Sequence, residues 1–204
     1  VHNYFTSIVR DVYADYEKAM KRNNALDFDD ILFCMKKILE VPEVLAHFHA
    51  KFQYFLVDEY QDTNSIQYDI VRLLASASRN LCVVGDDWQG IYSWRGANIK
   101  NILHFHKDYP DATIVKLEQN YRSTKTIIEA ANMVVKNNKS ALDKTLWTEN
   151  DRGELITLID AYDEKHEADT ITEIIRDSGT YSKWAILYRT NSQSRLLEEA
   201  LMRK

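Results

Sequence analysis

In FQYFLVDE, Phe52–Glu59, an apolar run stops abruptly at two adjacent carboxylates. The pattern reads as a short buried strand whose C-terminal end carries polar function. LCVV (Leu81–Val84) repeats it and runs into the turn Gly85-Asp86-Asp87, and TIVKLE (Thr113–Glu118) offers a third strand. Between the first two lies a helical pattern from about Ser65, with Ile66, Ile70, Leu73 and Leu74 as its inner stripe. Strands alternating with helices predict βαβ units and a mainly parallel sheet, in which ligands sit at the C-terminal strand edge. The acidic and polar residues fall at that edge, so the site is placed before any motif is considered.

Working outward, Phe5, Ile8, Val12, Tyr16 and Met20 keep helical spacing and predict an amphipathic helix over Asn3–Met20. Asp27 is a plausible N-cap for a second helix carrying Ile31, Leu32, Met35, Ile38 and Leu39, and Pro42 interrupts that pattern. Beyond Ser123 the expected order is a helix (Ile127, Ile128, Ala131, Val135), a polar stretch Asn137–Ser140, a strand Leu155–Ile159, a helix, a strand Ala185–Tyr188 and a terminal helix. That order marks the start of a second α/β lobe. The expected organisation is a helical segment over 1–24, one lobe over 25–122 and another over 123–204.

The chain has 204 residues, 45% hydrophobic and 28% charged, with five Gly and two Pro, which fits a globular protein and excludes fibrous or disordered classes. Cys34 and Cys82 lie far apart, each in an apolar run, with no Cys-x-x-Cys or Cys/His grouping. They argue against a disulfide framework or zinc site and for a reducing, cytoplasmic compartment. No apolar stretch reaches bilayer length, so no membrane partner is expected, and the N-terminus lacks a signal-peptide pattern. A net charge of −5 argues against nucleic-acid binding by bulk electrostatics without excluding DNA as a ligand. Any DNA contact must be local.

Three stretches carry chemistry. Asp58 and Glu59 are what Mg-nucleotide hydrolysis needs, one oxygen ligand for the metal and one base for the attacking water, although an acidic pair at a strand end also serves as a solvated turn or helix cap. WQGIYSWRGA (Trp88–Ala97) places two tryptophans, Tyr92 and Arg95 in a turn-rich loop. Such aromatics suit base stacking, and the alternative is a loop folded back so that Trp88 and Trp94 pack on a neighbouring helix. In LEQNYRST (Leu117–Thr124) Tyr121 is able to stack on a nucleobase and Arg122 to meet a phosphate, or Arg122 makes a surface ion pair, while Ser123 or Thr124 caps the next helix.

Taken together, VDEYQDTNSIQ (Val57–Gln67), VGDDWQGIYSWRGA (Val84–Ala97) and LEQNYRST resemble, in order and spacing, three consecutive motifs of the UvrD/Rep/PcrA-type superfamily 1 ATP-dependent DNA helicases. LDFDDI (Leu26–Ile31), LWTEN (Leu146–Asn150) and AILYRTNSQSR (Ala185–Arg195) are similar to flanking stretches, so the resemblance runs from about Leu26 to the C-terminus. It implies an α/β fold: a partial RecA-like parallel-sheet lobe preceded by the end of an inserted helical subdomain and followed by the start of a second RecA-like lobe. It implies ATP and Mg²⁺ as cofactors, single-stranded DNA and DNA junctions as partners, and 3′ to 5′ translocation and unwinding as activity. By the same resemblance Asp58 holds Mg²⁺, Glu59 activates water, Gln89 senses the γ-phosphate, Tyr121 stacks near adenine and Arg122 is an arginine finger. Trp94, with Tyr92 and Arg95, touches single-stranded DNA. Arg189, Thr190 and Asn191 add DNA contacts or form a plain strand-to-helix turn.

Gly90 and Ser93 depart from the family pattern and bear on the stiffness of the loop. No G-x-x-x-x-G-K-[ST] occurs, since Gly85 and Gly90 have the glycine spacing but are followed by Ile91 and Tyr92. Without that phosphate cradle the chain by itself is expected to bind ATP poorly and to be inactive. With its start at Val1, this leads to the expectation of an internal piece of a longer helicase. Two rivals are a RecB/AddA-type helicase-nuclease subunit, and a non-enzymatic module whose acidic pair is structural and whose aromatic loop binds a protein.

Overall fold

A computed structural model of the protein describes residues 4–138 and 144–203. The predicted residues Asn3, Lys139 and Ser140 lie outside it. The fold is α/β, and the chain divides into two compact units: residues 1–122 with 128–149, and residues 123–127 with 150–204.

In the first unit, helix α1 (Tyr4–Arg22) is followed by α2 (Phe28–Leu39), which begins where Asp27 predicts it. The Asp27 carboxylate accepts from the Asp30 amide at 2.8 Å, and the Asp30 carboxylate accepts from the Asp27 amide at 3.3 Å. This reciprocal box satisfies two donors that a helix start otherwise leaves open. Pro42 starts α3 (Pro42–Lys51), at the position where its missing N–H costs nothing. Strand β1 (Phe55–Val57) leads through a 3-10 turn at Tyr60–Asp62 to α4 (Ser65–Ala75), capped by a second box between Asn64 and Gln67. Strand β2 (Leu81–Val83) pairs parallel to β1, with Phe55 opposite Leu81 and Val57 opposite Val83. Helices α2, α3 and α4 pack together, tied by a 2.7 Å ion pair from Lys36 to Asp69 and by His49 against the Leu73 carbonyl at 3.0 Å.

Two short helices, α5 (Lys100–Leu103) and α6 (Phe105–Asp108), close over the 3-10 turn after β1. Tyr60 is fully buried there, edge-on to Phe105 at 5.8 Å, and Phe105 stacks on Tyr109 at 4.7 Å. Burial pushes the Tyr60 hydroxyl well above its ordinary pKa. Helix α7 (Lys125–Val135) runs from residues of the second unit into the first, and Asn132 then exchanges two hydrogen bonds with the Leu146 backbone.

In the second unit α8 (Glu164–Ser178) packs on α9 (Ser194–Met202), burying Ala168, Thr172, Ile175 and Ala200. Asp163 caps the start of α8 through the His166 amide at 2.7 Å. Gly179 ends it in the left-handed conformation that a C-terminal turn requires.

Three predicted strands are corrected. Thr113–Glu118, Leu155–Ile159 and Ala185–Tyr188 carry no regular structure, and outside β1 and β2 the described residues hold one isolated bridge, Gln119 to Trp147. A strand exists only through its ladder, and these segments have no described neighbour to pair with. Leu117, Leu158 and Leu187 are accordingly 77%, 93% and 94% exposed. The expectation that β1 and β2 are buried on both faces also fails. Phe55, Val57, Leu81 and Val83 are half-buried, whereas Leu56 and Cys82 face outward, because both faces of a parallel sheet are covered only when helices lie on each side.

Candidate active site

The C-terminal ends of β1 and β2 lie side by side. The Val84 amide donates to Val57 O at 2.8 Å and the Tyr60 amide to Val84 O at 2.9 Å, so the ladder continues past the strands and brings Asp58-Glu59 next to Gly85-Asp86-Asp87. Gly85 is required by this closeness: a Cβ there would meet Gln61 Oε1 at 2.6 Å, Ile102 Cδ1 at 2.7 Å and the Tyr60 amide nitrogen at 3.2 Å. Glu59 sits in the left-handed region at φ +49°. That conformation is uncommon for a side-chain-bearing residue and recurs where surrounding structure imposes it at functional sites.

One buried amide joins the two strand ends. Gln61 is 1% exposed; its Nε2 donates to Glu59 Oε2 at 2.7 Å and its Oε1 accepts from the Asp86 amide at 2.9 Å. Asp86 in turn accepts from Gln89 Nε2 at 2.8 Å and from the Trp88 amide at 3.0 Å. Lys144 Nζ bridges Asp86 at 2.5 Å and Asp87 at 2.6 Å, and lies 4.6 Å over the Trp88 ring. Desolvation pushes the Asp86 carboxyl upward, but hydrogen bonds from Lys144, Gln89 and the Trp88 amide outweigh it and hold the group below its ordinary pKa. Asp62 moves the other way, raised first by burial and then by the neighbouring Glu59 charge.

The aromatic loop separates its two tryptophans. Trp88 is half-buried under Lys144, whereas Trp94 is 68% exposed with Arg95 stacked 4.6 Å over its ring; Tyr92 and Arg95 are exposed as well. Packing therefore takes Trp88 and leaves Trp94 outside. The loop's far end is stapled to the segment after Glu59: the Asn98 amide donates to Thr63 O at 2.9 Å, and Asn101 Nδ2 donates to Thr63 O at 3.1 Å and Oγ1 at 3.0 Å. A cavity of about 350 Å³ lies between the two, lined by Gln61, Asp87, Ser93, Asn98 and Lys100 among others. Gly90 lines it too and has φ −69°, so nothing in its backbone requires glycine.

Of the predicted residues, Asp58, Glu59 and Gln89 are thus gathered around one hydrogen-bonded relay. Tyr121 and Arg122 stand on the exposed turn beyond the Gln119–Trp147 bridge, where the Tyr121 hydroxyl donates to Gln119 at 2.8 Å and the Arg122 amide to Asn120 at 3.0 Å. Arg189, Thr190 and Asn191 belong to the other unit, in an exposed turn folded around Gln193 Oε1, which accepts from the Arg189 and Thr190 amides at 3.0 and 2.9 Å. Sequence reasoning missed Gln61, Asp86, Thr63, Asn101 and Lys144. Gln61 was within reach, two residues beyond Glu59 in the same motif. Lys144 carries no local signal, being one lysine far along the chain.

Known protein families match the chain along most of its length. Residues 1–110 match the UvrD/REP helicase N-terminal domain, and residues 115–204 match the UvrD-like helicase C-terminal domain. The chain is similar to the ATP-dependent DNA helicase PcrA of Staphylococcus aureus (strain COL), with 54% identity over 98% of the chain, and to that of Staphylococcus epidermidis (strain ATCC 12228), with 50% identity over 99%. In each case it spans 28% of the relative's own length.

Proposed function

The chain belongs to the UvrD/Rep helicase family, and on that premise we propose that the full-length protein is an ATP-dependent DNA helicase, translocating 3′ to 5′ on single-stranded DNA and unwinding at junctions. The observation that carries the reading is the relay from Glu59 through Gln61 and Asp86 to Gln89. A base and a polar amide are held there at adjoining strand ends, where a parallel sheet places its ligand. Glu59 takes the proton of the water that attacks the γ-phosphate, and Gln89 reports that phosphate to the aromatic loop. Arg122 stabilises the charge spreading over the transferred group and Tyr121 stacks on the adenine. Trp94, Tyr92 and Arg95 hold single-stranded DNA, and Arg189, Thr190 and Asn191 add DNA contacts of their own.

Mg²⁺ is part of the proposal. Among the described residues no cluster of three or more His, Cys, Asp or Glu side chains is placed to hold a metal. Mg²⁺ keeps most of its waters and takes only one or two protein carboxylates beside substrate phosphates, so the exposed Asp58 carboxylate suits it. Residues 1–24 are assigned to the end of an inserted helical subdomain, 25–122 to the first RecA-like lobe and 123–204 to the start of the second. The free thiols of Cys34 and Cys82 fit a reducing cytoplasm, and no helix among the described residues is long and apolar enough to cross a membrane.

The test is Glu59→Gln in the full-length protein. Nucleotide binding is retained and DNA-stimulated turnover falls by roughly 10²–10⁴-fold, the range of a positioned base. A wild-type protein without DNA-stimulated hydrolysis defeats the helicase reading, and lost nucleotide affinity with normal turnover makes Glu59 structural.

A further inference from the structure

We propose that Lys144 is a positioning residue for ATP hydrolysis: clamped on Asp86 and Asp87, it fixes Gln89 through the Asp86 carboxylate and Glu59 through the Asp86 main chain and Gln61. The inference rests on the roles given above to Glu59 and Gln89.

Lys144 is not a surface lysine. Its side chain is 16% exposed, and its two carboxylate partners are 28% and 2% exposed. A desolvated ammonium is retained only where its partners match it closely, and here one cation faces two adjacent carboxylates of a single turn. Its location is imposed by the chain that follows. The Thr145 amide donates to Glu118 Oε1 at 3.0 Å, the Leu146 amide to Asn132 Oδ1 at 3.2 Å and the Trp147 amide to Glu118 O at 3.0 Å. The Trp88 face beneath the ammonium adds a cation–π contact.

The consequence runs through Asp86. With Lys144 and the Trp88 amide on Oδ1, its Oδ2 accepts from Gln89 Nε2, so the Gln89 amide points its donor at Asp86 and keeps its carbonyl oxygen for a water or other donor. The Asp86 main chain holds Gln61, and Gln61 holds Glu59. Without the ammonium, two neighbouring carboxylates repel across the turn from which both side chains take their orientation. Small misplacements of a reacting group are expensive in rate while leaving substrate affinity largely intact.

The experiment compares Lys144→Met and Lys144→Arg in the full-length protein. Lys144→Met lowers kcat of DNA-stimulated hydrolysis by about 10²-fold, the scale of an ångström-sized displacement, with KM for ATP unchanged. Lys144→Arg, which keeps the charge, recovers most of it. Unchanged kcat in Lys144→Met, or a loss that Lys144→Arg does not recover and that tracks the folded fraction, overturns the proposal. If the wild-type protein hydrolyses no ATP, the helicase reading fails separately, and the clamp is read from hydrogen exchange at the Trp88 amide, which donates to Asp86. Faster exchange in Lys144→Met supports the clamp and equal exchange overturns it.

Discussion

Trp94 and Trp88 share a loop and a side-chain type, and burial alone separates their fates. Because Trp94 is 68% exposed, truncating it removes little packing. Trp94→Ala is expected to leave the melting temperature nearly unchanged and to weaken single-stranded DNA binding by about 1–3 kcal/mol, the scale of one stacked base, with Trp94→Phe intermediate. A DNA titration of the folded variant checks this, and a large fall in melting temperature with unchanged affinity contradicts it. Asp86 gives a second residue-level prediction. Its folded pKa lies below the unfolded value, so its contribution to stability is present above the ordinary carboxylate pKa and is lost as pH falls through the depressed one. Melts of wild type and Asp86→Asn from about pH 6 to about pH 3 should therefore converge as the pH drops. At this scale the sequence made Asp58, Glu59 and Gln89 legible because each sits where a strand ends. It hid Lys144, whose role comes from a contact between positions 58 residues apart that no local pattern records.

Helix starts were the most legible elements, because a cap is a local transaction between residues three apart. Asp27 was readable for that reason. The Asn64–Gln67 box deserves a direct measurement because α4 follows the acidic strand end so closely. Asn64→Ala should lower stability by about 1 kcal/mol and Asn64→Asp by much less, read from denaturant unfolding. Strands were less legible. TIVKLE has the apolar composition of a strand, yet pairing is a property of two segments, and only β1 and β2 find each other among the described residues. The aromatic loop holds two 3-10 turns, at Asp87–Gln89 and Ser93–Arg95, and takes its fixed end from Thr63, a partner that composition does not indicate.

At the scale of the whole molecule, a net charge of −5 argues against a broad basic face and for local DNA contacts. The proposed DNA contacts are correspondingly few side chains on two turns. The chain also passes between its compact units three times, at 122, 127 and 149, so residues 128–149 keep company with residues 1–122. They bring Lys144 and the buried Ile128 and Thr148 with them. A stop codon after 149 should accordingly yield a polypeptide that melts at higher temperature and resists protease longer than one ended after 122, which loses the ammonium on Asp86 and Asp87. Reversed order in the melts would contradict this. The same topology governs recombination: a crossover between homologous genes at codon 122 takes the acidic turn from one parent and its lysine from the other, and those positions are inherited as a unit only when the join falls before codon 86 or after codon 144.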